Sequence, residues 1–279
     1  MDLADASADP RLATMTGYLG YDDPARLASV VAEAAGGTAV DDARLGPAVP
    51  EPARILCIGV NYLEHAAEAG QIAKRWPEVF VRGAGSVVGP YDDLVLPALC
   101  DGFDYEGELG AVVGRGGRYI PADQALGALA GFVVLNDASA RDWQSAGTQW
   151  TAGKNFDGTM PIGPELVTPD EVDVTNLELT TTLNGEVMQS ANTSQMIVDV
   201  ASCVEFLSSF TTLRPGDVIA TGTPGGVGFA RKPPVWLTPG DVVEVTVHGV
   251  GTIRNTVVKE AAAPDAWRWR PTNSQTITI

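Results

Sequence analysis

DGFDYEGELGAVV, residues 101–113, joins an apolar run to a strongly acidic approach. LGAVV reads as a β-strand, and Asp104, Glu106 and Glu108 occupy every second position on the way into it. Side chains two apart in a strand point to the same side. A strand that starts early enough therefore carries three carboxylates on one face, roughly 7 Å between successive Cα atoms. Their mutual repulsion calls for something positive among them.

The surrounding sequence is also strand-rich. ILCIGV (55–60) suits a strand buried on both faces, and NYLEHAAEAGQIAKRW (61–76) follows with helical composition. GFVVLND (131–137) reads as another strand. LELTTTL-NG-EVMQSA (177–191) predicts a hairpin, with Asn184-Gly185 supplying the positive φ angles of a type I′ turn. LRPGDVIATG (213–222) and LTPGDVVEVTV (237–247) share a Pro-Gly turn of type II followed by a β-branched run. SCVEFLSS (202–209) predicts one helix. The sum is an α+β chain, mostly β, with a few short helices.

Three regions differ in texture: a small N-terminal segment and linker over 1–50, a main domain over 51–260, and a tail over 261–279. Asp23 before Pro24 starts a helix, Leu27, Val30, Val31 and Ala34 give it an apolar face, and Gly36-Gly37 stops it. The two tryptophans of AWRWR in the tail are expected to pack on the body or on a partner chain.

The composition excludes several function classes. A chain of 279 residues with 45% hydrophobic content can bury a large core. Its 35 acidic and 18 basic residues give a net charge of −17, which repels nucleic acid and anionic membranes. No apolar run approaches the ~18 residues of a membrane span, and MDLADASADPRLA lacks the apolar core of a signal peptide. Cys57, Cys100 and Cys203 are far apart and read as free thiols. A cytoplasmic protein is expected.

Taken alone, the acidic alternation reads equally as a solvated strand face. Asp137 changes the balance, because it ends a second apolar strand. Carboxylates at the mouths of two buried strands make a hard oxygen site for Mg²⁺, Mn²⁺ or Ca²⁺, and no His-rich spacing suits Zn²⁺. His65 has Glu68 three residues on, so on a helix the carboxylate can orient the ring and leave its other nitrogen as a base. An ordinary surface pair has the same spacing. His248, in VTVHGVG (245–251), reads as structural. Lys154, in TAGKNFDG (151–158), reads either as a countercharge for a bound anion or as a surface lysine. Trp76 and Trp143 hint at an apolar or aromatic substrate group, with packing as the simpler role. GTPGGVG (222–228) lacks the Lys-Ser/Thr of a P-loop, and neither G-x-G-x-x-G nor G-x-S-x-G occurs.

Six stretches, in this order, resemble the fumarylacetoacetate hydrolase family in its bacterial acylpyruvate-hydrolase-like branch. They are GVNYLEHAAE (59–68), DYEGELGAVVG (104–114), LNDASARDWQ (135–144), QWTAGKNFDGTMPIGPELVT (149–168), LNGEVMQ (183–189) and LRPGDVIATGTPGGVG (213–228). The likeness covers about residues 54 to 259. It implies a layered, mixed-sheet β-roll fold, a homodimer, and Mg²⁺ or Mn²⁺ on Glu106, Glu108 and Asp137, with Asp104 a neighbour. It further implies a water-activating His65–Glu68 dyad on a lid helix, Lys154 facing the substrate, and Thr223 holding a substrate carboxylate. Arg82, where many relatives have Lys, is assigned to substrate binding.

The implied activity is hydrolysis of a C–C bond in a 2,4-diketo acid, giving pyruvate or another 2-oxo acid and a carboxylate. An oxaloacetate-type decarboxylase or a hydroxymuconate-type isomerase or decarboxylase would use the same site. A non-catalytic protein that binds a metal and a 2-oxo acid is the remaining alternative.

Overall fold

The computed structural model describes residues 9–21, 23–33, 44–68, 70 and 76–261. The strands are, in order, β1 (Ile55–Gly59), β2 (Glu78–Arg82), β3 (Val87–Val88), β4 (Leu94–Leu96) and β5 (Phe103–Asp104). Next come β6 (Gly107–Val113), β7 (Leu129–Asn136), β8 (Ser139–Ala140), β9 (Met160–Val167) and β10 (Glu178–Leu183). The last are β11 (Glu186–Asn192), β12 (Val218–Ala220), β13 (Val242–Val247) and β14 (Gly251–Lys259). They form a seven-stranded sheet in the order β2-β1-β12-β6-β7-β9-β3, a five-stranded sheet β11-β10-β13-β14-β4, and the short ribbon β5-β8. Pairings β1–β12, β3–β9 and β4–β14 are parallel, so the sheets are mixed. The α+β expectation with strands predominating is met.

Apolar runs without polar alternation are buried on both faces here. On β6, Leu109, Ala111 and Val113 join Leu179, Val245 and Ile253 of the five-stranded sheet in one core. Val112 points the other way, into a second cluster with Ile55, Leu135, Ile162 and Val218. The seven-stranded sheet is thus a middle layer, and its centre strands are inaccessible to water.

The turn chemistry is as read. Asn184 and Gly185 have φ of 52° and 84°, as a type I′ hairpin requires. Gly216 and Gly240 have φ of 80° and 95° in the two Pro-Gly turns. Asp217 accepts from Arg214 N and Asp241 from Thr238 N, at 2.8 and 2.7 Å, and β12 and β13 start immediately afterwards. The predicted helix over 202–209 spans Val200–Phe210, because Asp199 caps it by accepting from Ser202 N at 2.7 Å. It buries Val200, Cys203, Val204 and Leu207, the spacing of one helical face.

Near the N-terminus, Asp23 accepts from Arg26 N at 2.8 Å and starts the helix Pro24–Glu33. A second short helix, Met15–Leu19, was not anticipated, being too brief to show a period. The predicted stop at Gly36-Gly37, residues 69 and 71–75 after Glu68, and the tryptophans of the tail lie outside the described residues.

Candidate active site

Strand register brings the acids together. β6 and β7 run antiparallel with Gly107 opposite Asn136. The ribbon continues that register, with Asp104 opposite Ser139. Glu106 therefore falls opposite Asp137, and Asp137 N donates to Glu106 O at 2.8 Å. Glu108, two residues on, emerges on the same side. Ligand oxygens of Glu106, Glu108 and Asp137 all lie within 4.8 Å of one another, and all three residues are buried.

The segment after β12 clamps this cluster. Thr221 Oγ1 donates to Leu109 O at 2.8 Å, Gly222 N to Glu108 Oε2 at 2.8 Å, and Thr223 Oγ1 to Gly107 O at 2.9 Å. What resembled a phosphate loop thus extends the edge of β6 through side chains. Gly107 is required between the two glutamates, since a Cβ there would lie 2.1 Å from Thr181 Oγ1 and 2.9 Å from Val245 Cγ1.

Cations of the chain face the same acids. Lys154 Nζ, at the end of the short helix Thr151–Lys154, lies 2.6 Å from both Glu106 Oε2 and Asp137 Oδ2. Arg141 Nη1 is 2.6 Å from Glu106 Oε1, and Nη2 is 2.8 Å from Asp104 Oδ2. Arg82 pairs with Asp137 and donates to Thr159 Oγ1 at 2.6 Å. Burial opposes charge on Glu106, but Lys154 and Arg141 hold its carboxyl well below the usual range. Burial also opposes the Lys154 ammonium, which Asp137 and Glu106 keep above its ordinary value.

Glu108 differs from the other two acids. It is 2% exposed and has no ion-pair partner among the described residues. Burial, then Asp137 and Glu106, push its carboxyl well above the usual range. A divalent cation among the three acids would reverse that. Three adjacent buried carboxylates, one lacking a countercharge, are a donor set that fits Mg²⁺ or Mn²⁺. Because Glu108, whose carboxyl is raised well above its ordinary value, must lose its proton to bind, Mn²⁺ affinity is expected to rise with pH, with proton release. Calorimetry in two buffers of different ionisation enthalpy measures both, and a pH-independent affinity would contradict this picture.

Asp104 is equally buried but turns its carboxylate to other partners, sharing only Arg141 with Glu106 among the described residues. It accepts from Gly228 N at 2.7 Å, Phe229 N at 3.1 Å and Arg141 Nε at 2.9 Å. Phe229 in turn lies under the Arg141 guanidinium, 4.5 Å to the ring centre, and edge-on to His65 with centroids 6.4 Å apart.

His65 sits on the helix Leu63–Glu68, directly after β1, and is 6% exposed. Burial pulls it down to about 4, with Glu106 opposing and Arg141 and Lys154 adding to the shift. It is therefore neutral at neutral pH. The predicted hydrogen bond to Glu68 is not made. His65 Nδ1 has no hydrogen-bond partner, while both Glu68 oxygens accept from Gly226 N, at 3.0 and 2.9 Å. The physical reason is competition: Glu68 is exposed at the helix end, where a backbone N–H offers its carboxylate a charge-assisted bond.

A cavity of about 560 Å³ opens over these groups, and His65, Lys154 and Thr223 line it along with the three acids. Arg82 is off its wall, behind Asp137, so its guanidinium holds that carboxylate where substrate contact was expected. Trp150 and Trp236 line the cavity, whereas Trp143 packs on Phe156 and Trp76 on Phe206. Arg141, also on the wall, had no role assigned from the sequence. Its only signal there was a rare basic residue four positions after Asp137.

A layered mixed-sheet fold with three adjacent buried carboxylates near a histidine-bearing helix sets out a candidate divalent-metal site. The chain belongs to the fumarylacetoacetate hydrolase family: residues 54–258 match the family described as Fumarylacetoacetate (FAA) hydrolase C-terminal. It is 46% identical over 213 residues to the mitochondrial oxaloacetate tautomerase FAHD2A of Bos taurus, covering 75% of this chain and 68% of that protein. Among solved structures, 5-carboxymethyl-2-hydroxymuconate delta-isomerase from Mycobacterium smegmatis matches with TM-score 0.73 and 38% identity, over 82% of this chain and 87% of that one. Fumarylpyruvate hydrolase from Pseudomonas aeruginosa, in complex with Mn²⁺ and pyruvate, matches with TM-score 0.68 and 35% identity, over 74% and 90%. Among the described residues no helix is long and apolar enough to cross a membrane, and the animal relatives are mitochondrial, so a cytoplasmic location stays an expectation.

Proposed function

We propose that this protein is a divalent-cation-dependent enzyme of 2-oxo acids that moves a proton at the carbon next to the 2-oxo group. The reaction class is keto–enol tautomerisation or isomerisation of an oxaloacetate-like acid. The observation that carries this reading is the neutral, buried His65 beside the carboxylate cluster, its Nδ1 unpartnered and Glu68 engaged elsewhere. A base that is not held to a carboxylate can both take and return a proton. The 46% identity to an oxaloacetate tautomerase supports the same choice.

A cation on Glu106, Glu108 and Asp137 would polarise the 2-oxo group and acidify the adjacent C–H. His65 removes the proton from that carbon, and the released electron pair moves to the 2-oxo oxygen. The 2-oxo oxygen takes a proton from solvent to complete the enol, and in the reverse sense it releases that proton while His65 returns one to carbon. Lys154 and Arg141 keep Glu106 ionised throughout. Phe229 and Trp150 exclude water from one side of the cavity.

Hydrolysis of a 2,4-diketo acid is the second reading. Its support is the placement of His65 and Glu68 at i and i+3 on one helix, together with the likeness to fumarylpyruvate hydrolase. It requires Glu68 to leave Gly226 and orient His65 toward a water. Oxaloacetate decarboxylation needs no such water. Enol-oxaloacetate and a panel of acylpyruvates, each with Mg²⁺ or Mn²⁺ and followed by NMR, separate the three. Loss of the enol signal with no CO₂ and no new acid supports tautomerisation. A second carboxylic acid, or CO₂, overturns it in favour of hydrolysis or decarboxylation.

A further inference from the structure

Gln189 and Thr223 form a closed hydrogen-bond ring with the backbone N–H and C=O of Gly107, the residue between two of the cluster's acids. Gly107 N donates to Gln189 Oε1 at 3.0 Å, Gln189 Nε2 donates to Thr223 Oγ1 at 2.8 Å, and Thr223 Oγ1 donates to Gly107 O at 2.9 Å. Gln189 Nε2 also donates to Pro224 O at 2.9 Å. Gln189 is 1% exposed and Thr223 is 3% exposed, so water does not compete.

Chemistry dictates the direction of every bond in the ring. A backbone N–H can only donate, so the atom of Gln189 facing Gly107 N is the carbonyl oxygen, and the amide nitrogen faces Thr223. A backbone carbonyl can only accept, so the Thr223 hydroxyl proton is committed to Gly107 O. While the ring is closed, that proton is not available to a substrate carboxylate. The family resemblance had implied such a substrate role for Thr223.

We infer that Thr223 and Gln189 are positioning residues of the carboxylate cluster: together they fix the Gly107 peptide, and with it the placement of Glu106 and Glu108 for a divalent cation. The inference rests on the cation-dependent reading of the site. Gln189 is absent from the cavity wall and comes from β11 in the other sheet, so it reaches the cluster through this ring. Thr181 and Val245 of that sheet leave no room for a Cβ at Gly107, so the same backbone is confined from that side as well.

Mn²⁺ titration of the substrate-free protein, by calorimetry and by electron paramagnetic resonance, tests the inference. Thr223→Val and Gln189→Met are each expected to weaken Mn²⁺ binding by about 10- to 100-fold, the usual loss for groups that orient metal ligands. Thr223→Ser keeps the hydroxyl and is expected to retain wild-type affinity. The double variant should bind no more weakly than the worse single one, because either change opens the same ring. If Gln189→Met does not fold, Gln189→Asn serves, since its shorter amide cannot reach both Gly107 and Thr223. Wild-type Mn²⁺ affinity in Thr223→Val with a raised substrate KM would overturn the inference and restore the substrate role. Additive losses in the double variant would also overturn it. Absence of Mn²⁺ binding in the wild-type protein would instead sink the cation site itself.

Discussion

Glu108→Gln is expected to abolish Mn²⁺ binding and turnover while leaving the metal-free protein at least as stable as the wild type. Among the described residues Glu108 forms no ion pair, and the hydrogen bond it accepts from Gly222 N can equally be accepted by an amide oxygen. A carboxyl whose pKa is raised on folding binds its proton more tightly in the folded state. Stability from that group is present below the unfolded carboxylate range and is lost as pH rises through the folded value. Glutamine removes this liability at neutral pH. Glu106→Gln should behave differently. It removes the carboxylate that Arg141 and Lys154 share, leaving them only Asp104 and Asp137, and breaking a buried pair in this way costs about 3–5 kcal/mol. Both variants lose the metal, but only Glu106→Gln should show a large drop in melting temperature. Calorimetry with Mn²⁺ and thermal melts in chelator provide the comparison. Undiminished Mn²⁺ affinity in Glu108→Gln would remove the carboxylate cluster from consideration.

The strands, the hairpin and both Pro-Gly turns were legible because each depends on a few adjacent residues. Apolar runs bury, Asn-Gly turns, and Pro-Gly-Asp starts a strand. The acids at 104, 106 and 108 were legible as a group for the same reason, but their division came only with the family resemblance and not from the local pattern. Asp104 is drawn to the 228–229 amides and Arg141, and these partners lie 124 and 37 residues away in sequence. The repulsion among the acids had suggested a metal alone. In the structure Arg82, Arg141 and Lys154 meet most of it, and the unmet remainder falls on Glu108. Gln189 sits in an ordinary-looking hairpin strand, and nothing local hints that its amide reaches across to the other sheet. Glu68 shows the opposite limit. Its i, i+3 spacing to His65 is real, yet a backbone N–H from the far loop takes the carboxylate instead.

His65→Asn is expected to lower kcat by about 10²–10⁴-fold, the usual contribution of a general base, with Mn²⁺ affinity unchanged. The size of the loss identifies a base, and the companion variant Glu68→Gln identifies the reaction. If proton transfer at carbon is the chemistry, Glu68 contributes only its bond to Gly226 N, so Glu68→Gln should cost less than about tenfold, a barrier change under 1.4 kcal/mol. If water must be activated, Glu68→Gln on an acylpyruvate should fall nearly as far as His65→Asn. The pH profile adds an independent measure. A base must be unprotonated to act, so activity falls as pH drops through the pKa of His65, which burial holds near 4. Loss of the cation intervenes earlier, because Glu108 regains its proton at higher pH. Raising Mn²⁺ should therefore move the acid limb of kcat/KM downward until His65 limits it. An acid limb that stays near the ordinary histidine value of ~6.5 at every Mn²⁺ concentration would rule out a buried, neutral His65 as the proton carrier.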